Sequence, residues 1–103
     1  MPYPPWPTAM ALAPHNINVN AICPGFVGTG MAHDIEVRAE RTVPGMSGLS
    51  PREVYDRLVA AKIPLGRDQS PEDIGRLAVF LASDYSRNIT GQAINIDGGA
   101  FLN

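Results

Sequence analysis

The chain has two segments that read as strands, and they stand far apart. Ile17 to Ile22 puts Ile17, Val19 and Ala21 on one face at period two, and Pro24-Gly25 ends the run. Ala93 to Asp97 is the second, closed by Gly98-Gly99. The stretch between them carries helix signals and breakers, so no tight hairpin joins them. Two strands linked by a helical crossover run parallel, in a right-handed βαβ unit. Parallel strands are normally covered by helices on both faces and flanked by further strands. One crossover cannot supply all of that, so the pattern implies an α/β domain that is incomplete.

Both crossover helices announce their starts. Ser50-Pro51-Arg52-Glu53 supplies an N-cap serine, a proline at the first helical position and a glutamate three on, which is a capping box. This helix should run to about Ala61, with Val54, Leu58 and Ala61 inward. Ser70-Pro71-Glu72-Asp73 repeats the device, and its acidic residues suit the helix dipole. Ile74, Leu77, Ala78 and Leu81 then recur at i, i+3, i+4 and i+7, and the helix should end near Ser83 or Asp84. Between strand and helices, Ala32 to Thr42 is charged and weakly helical, and Pro44-Gly45 breaks it.

The N-terminus differs from the rest. Four prolines fall in the first eight residues, and proline blocks both helix and central strand. Residues 1–10 therefore read as an unstructured or polyproline-like leader, with Ala9 to Ala13 as the last turn of a helix stopped at Pro14.

The composition of 45% apolar and 17% charged residues is that of a globular chain. A net charge of −2 with one lysine, Lys62, gives no footprint for nucleic acid. No apolar run approaches the roughly 20 residues of a membrane helix, and Cys23 is the single cysteine. Both point to a cytoplasmic protein without internal disulfides. His15 and His33 have no partners at metal-ligand spacing. Cys23 reads as a small buried hydrophobe. Asp97 reads as a cap of the Gly98-Gly99 turn. Phe26 and Met31 suit either a pocket wall or a core.

Several segments together resemble the short-chain dehydrogenase/reductase family. Asn16 to Val27, followed by Thr29 and Met31, resembles that family's sixth strand and Pro-Gly loop. Ile63-Pro64-Leu65-Gly66-Arg67, Ser70 to Ile74 and Leu77 to Asp84 resemble its last long helix and lead-in. Ile89-Thr90-Gly91-Gln92 with Ile96 to Gly99 resembles its last strand. The resemblance runs from about Ala11 to the C-terminus. It implies that residues 11–103 are the C-terminal portion of a Rossmann-like doubly wound parallel sheet, here two strands and three to four helices. It implies an oxidoreductase that moves a hydride between NAD or NADP and a small alcohol or carbonyl. Pro24 and Gly25 would shape the loop against the nicotinamide. Val27 would hold the carboxamide through its backbone amide and carbonyl, and Thr29 would add a hydroxyl. Residues 31–63 would be the substrate-loop lid. The last helix and last strand would join another subunit, in a homo-oligomer or with a full-length relative.

The same resemblance shows what the sequence lacks. The family pairs a tyrosine acid/base with a lysine four residues on. Tyr3, Tyr55 and Tyr85 are followed at that distance by Pro7, Val59 and Ile89, and Lys62 is preceded by Leu58. A tyrosine near its ordinary pKa of about 10 is a poor base at neutral pH, so the lysine matters. The phosphate-binding Gly-x-x-x-Gly-x-Gly loop has no counterpart either. Gly25, Gly28 and Gly30 lack its spacing and read as a hinge. No catalytic residue is therefore expected, and the chain alone should be inactive. The alternatives are a nonenzymatic subunit-interaction module or a decayed gene product. The abrupt change from proline-rich to family-like sequence suggests a longer frame upstream, a frameshift or a fusion.

Overall fold

A computed structural model describes residues 4–28, 38, 41, 44, 45 and 47–101. The chain divides into two compact units, Met1–Pro24 with Pro71–Ile96, and Gly25–Ser70 with Asp97–Asn103.

The first unit holds helix α1 (Trp6–Leu12), strand β1 (Ala21–Pro24), helix α3 (Pro71–Ala82) and strand β2 (Ala93–Ile96). The two strands pair in parallel, with Ala21 opposite Ala93 and Pro24 opposite Ile96. This is the crossover arrangement that the sequence implies. The strand at the N-terminal end is shorter than expected. Ile17 to Asn20 lies outside the strand, and Ile17 is exposed. One backbone bond remains there, from Gly91 N–H to Val19 O at 2.8 Å, and side chains supply the other ties. Asn18 Nδ2 donates to Arg87 O at 2.9 Å, and Asn20 Nδ2 to Ile89 O at 2.9 Å. Val19 N–H donates to Thr90 Oγ1 at 2.9 Å, and Gln92 N–H to Asn20 Oδ1 at 3.1 Å. Asparagine amides competing for backbone partners shorten regular structure, and here they bind the strand lead-in to the loop before β2.

The leader is helical from Trp6, which corrects the expectation of an unstructured segment. Pro5 is the N-cap and Pro7 lies in the first turn, where a backbone N–H has no helical partner to lose. Ala9 N–H closes the first turn onto Pro5 O at 2.9 Å. Ala9 is buried beside Gly91, whose φ of +76° is a left-handed conformation that favours glycine. A short 3-10 turn, Ala13–His15, follows and ends at Asn16 in the left-handed region (φ 59°). Helix α3 buries none of its residues: Ile74, Leu77 and Leu81 are half-buried, whereas Ala78, expected inward, is exposed. Val79 and Phe80 also face solvent. Beyond α3, Ser86 is buried and its hydroxyl lies 2.8 Å from Leu81 O, which anchors the 3-10 turn Asp84–Ser86.

The second unit is built around helix α2 (Pro51–Lys62). Its capping box is complete: Glu53 N–H donates to Ser50 Oγ at 3.2 Å and Ser50 N–H to Glu53 Oε1 at 3.4 Å. The helix stops at Ile63, which is extended (φ −114°, ψ 109°) because Pro64 follows it. Two i, i+4 pairs face inward, Val54 with Leu58 and Tyr55 with Val59. Ala61, expected inward, is exposed, because the buried stripe is set by the second pair and continues to Ile63. Leu49 and Phe26 pack on Val54 and Leu58. Phe26 also meets Tyr55 edge to face, ring centroids 6.4 Å apart at 85°. Phe26 is thus part of a core.

Among the described residues no helix is long and apolar enough to cross a membrane.

Candidate functional site

The residues singled out by the Pro-Gly loop divide as follows. Pro24 is the last residue of β1, opposite Ile96. Gly25 and Val27 belong to the second unit. Thr29 and Met31 lie outside the described residues, as does most of the lid segment between Gly28 and Ser47.

Gly25 must be glycine. A Cβ built on it would stand 2.7 Å from Asp97 Cβ and 3.0 Å from both Asp97 Cα and Gln69 Oε1. Contacts that short need the backbone of Asp97 to move. Asp97 cannot move freely, because its carboxylate holds the turn after it. Gly99 N–H donates to Oδ1 at 3.0 Å and Phe101 N–H to Oδ2 at 3.1 Å. This is the capping role that the sequence suggests for Asp97, and it explains a carboxylate only 6% exposed.

The loop continues as a single parallel bridge between Val27 and Gln69, with Gln69 N–H donating to Phe26 O at 2.8 Å. In a parallel bridge of this kind the bonded groups belong to the flanking residue, here Phe26, and not to Val27 itself. Among the described residues neither the N–H nor the C=O of half-buried Val27 has a partner. A donor and an acceptor on one residue, one peptide apart, match the amine and carbonyl of a carboxamide. The backbone therefore fits the group that the resemblance assigns to it.

Gly28 approaches a second polar pair. Tyr55 OH donates to Asp68 Oδ2 at 2.5 Å, and a Cβ on Gly28 would come within 3.4 Å of the same oxygen. Tyr55 and Gln69 were not among the expected site residues. Tyr55 entered the sequence reading only as a tyrosine with no lysine four positions on. Gln69, between two polar residues, carries no periodic signal. It is buried, and its Oε1 is the one buried side-chain polar atom without a partner among the described residues. An orphaned acceptor of this kind costs about 1–3 kcal/mol.

Among the described residues no group of three or more His, Cys, Asp or Glu side chains could hold a metal ion.

The family described as enoyl-(acyl carrier protein) reductase matches residues 7–100. The chain belongs to the short-chain dehydrogenase/reductase family. It is 40% identical over 94 residues to 3-oxoacyl-(acyl-carrier-protein) reductase of Thermotoga maritima, covering 91% of this chain and 32% of that protein. The crystal structure of an NADPH-dependent reductase involved in bacilysin biosynthesis superposes with a TM-score of 0.78 at 33% identity, over 94% of this chain and 35% of that one. That of an NAD+-bound xylitol dehydrogenase gives 0.74 at 33%, over 90% and 36%. The chain thus spans about a third of the length of the relatives it matches. The parallel strand pair and the helices among the described residues match part of the Rossmann-like fold of these enzymes, and the family's cofactor is NAD or NADP.

Proposed function

We propose that the segment Gly25 to Thr29 of this short-chain dehydrogenase/reductase chain is the nicotinamide-side loop of an NAD(P)-dependent oxidoreductase. The observation that carries the reading is that, among the described residues, the N–H and C=O of Val27 have no partner, two positions after Gly25, where a Cβ would stand 2.7 Å from Asp97 Cβ. When bound, the dinucleotide exchanges a hydride with an alcohol or carbonyl carbon. The chain's own task is orientation. Val27 N–H donates to the carboxamide oxygen and Val27 C=O accepts from its amine, which fixes the ring by two hydrogen bonds that water cannot match in direction. Thr29 adds a hydroxyl at the same end, and residues 31–63 cover the substrate. Relatives named for an acyl-carrier-protein substrate and for xylitol are matched alike, so the substrate class stays at small alcohols and carbonyls.

Proton transfer needs groups from outside these 103 residues, because no tyrosine here has a lysine four positions on. The chain alone binds the nicotinamide end and gives no turnover. The test is titration with NADH and NADPH by cofactor fluorescence. Val27→Pro, which deletes the N–H, should weaken binding about tenfold, the worth of one hydrogen bond. Equal affinity of variant and wild type contradicts the assignment. Alcohol-dependent NADH formation by the purified chain contradicts the expected lack of turnover.

A second reading is favoured by the surface of α3. Val79 is 71% exposed, Phe80 41% and Tyr85, just beyond it, 91%. Such apolar exposure suits a subunit contact, so this reading is an interaction module that joins a second subunit. A monodisperse monomer by size-exclusion chromatography with light scattering counts against it.

A further inference from the structure

Gln69 occupies the space between two glycines. It is 6% exposed. On one side a Cβ at Gly25 would stand 3.0 Å from its Oε1. On the other a Cβ at Gly98 would stand 3.2 Å from its Nε2 and 2.5 Å from Ile63 Cγ2. Its main chain meanwhile donates to Phe26 O at 2.8 Å, the bond that forms the bridge at Val27. Gly98 is tied in turn, since its C=O accepts from Leu65 N–H at 3.0 Å. One residue therefore touches the loop after β1 by its backbone and fills the gap to the Gly98 turn by its side chain.

Packing alone does not account for an amide there. Leucine would fill a similar volume without burying an acceptor that finds no partner. Only the Nε2 end is engaged, in a long hydrogen bond to Arg67 O at 3.5 Å.

We infer that Gln69 is a positioning residue for Val27. Its side chain locks the Gly25–Val27 segment to the Gly98 turn, and so sets the direction of the N–H and C=O of Val27. The functional consequence rests on the nicotinamide reading; the tie itself does not.

The experiment is amide hydrogen exchange by NMR on the full 103-residue chain and its variants Gln69→Leu and Gln69→Glu, with NADH-induced shifts at Val27 recorded in parallel. In Gln69→Leu the protection of Val54 to Ile63 should persist. Protection of the residue-69 amide should fall about tenfold, the equivalent of one hydrogen bond, and the NADH shift at Val27 should vanish. In Gln69→Glu a protonated carboxyl still donates to Arg67 O, so low pH restores the wild-type pattern. Burial raises the pKa of that carboxyl. The tie is therefore present below the ordinary carboxylate range and lost as pH rises through the raised value. Arg67, Asp68 and Asp97 are its titratable neighbours and remain unaltered in all variants.

Unchanged residue-69 protection in Gln69→Leu overturns the inference. If that variant does not fold, pH-independent protection in Gln69→Glu overturns it instead. Expected exchange behaviour with no NADH shift even in the wild type supports the tie and counts against the nicotinamide reading alone.

Discussion

The two units are held together by different physics. In the second unit Val54, Tyr55, Leu58, Val59 and Ile63 are buried on or just beyond one helix. In the first, Ala9 is the one buried apolar residue among those described, and side-chain amides and hydroxyls do much of the joining. Hydrophobic burial is the dominant favourable term in folding, so the first unit has little to resist unfolding with. Its Trp6, Met10, Ile17, Val79 and Phe80 are all more than 40% exposed. The contrast teaches that a parallel pair can be specified by polar ties while its stability must come from further covering surface.

Substitutions can break or sharpen that contrast. The largest effect is expected in the helix core: Leu58→Ala should cost about 3 kcal/mol in urea unfolding, from lost transfer energy plus a cavity. Leu77→Ala, the half-buried counterpart on α3, should cost about 1 kcal/mol. Equal losses at the two positions would erase the difference between the units. Asp97→Ala leaves Gly99 N–H and Phe101 N–H without their acceptor, and should cost about 2 kcal/mol, with partial recovery in Asp97→Asn. In the first unit, Asn20→Ala removes a donor to Ile89 O and an acceptor for Gln92 N–H. It should cost about 1 kcal/mol and raise exchange at Gln92 before any change at Leu58. The smallest effect belongs to the exposed face, where Val79→Ser should change stability by less than about 0.5 kcal/mol. A larger loss there would mean that α3 is covered in solution.

What could be read from the sequence was local. The Ser50 box is legible because a cap, a proline and a glutamate at fixed offsets satisfy helix donors whatever surrounds them. The parallel pairing of Ala21–Pro24 with Ala93–Ile96 followed from the crossover length. Period two failed at Ile17 and Val19 because Asn18 and Asn20 take bonds that a ladder would otherwise make. The leader failed because four prolines in the first eight residues were counted as breakers, although a helix tolerates proline where it begins. Ala61 was placed inward from a single stripe, and the Tyr55–Val59 pair shifts that stripe.

In the site, Gly25 was legible as a turn residue but its reason was not. Asp97, seventy-two positions away, forbids a Cβ, and no local pattern shows such an approach. Gln69 was invisible for the same reason, since its neighbours in space, Gly25 and Gly98, are remote in sequence.

The most direct measurement of the central claim is the amide resonance of Val27 in the nitrogen-15-labelled chain during titration with NADH and NADPH. A saturable shift at Val27 and its immediate neighbours, with Tyr85 and the exposed face of α3 unmoved, is the predicted result. No shift at Val27 at millimolar cofactor, or shifts confined to α3, would contradict the account.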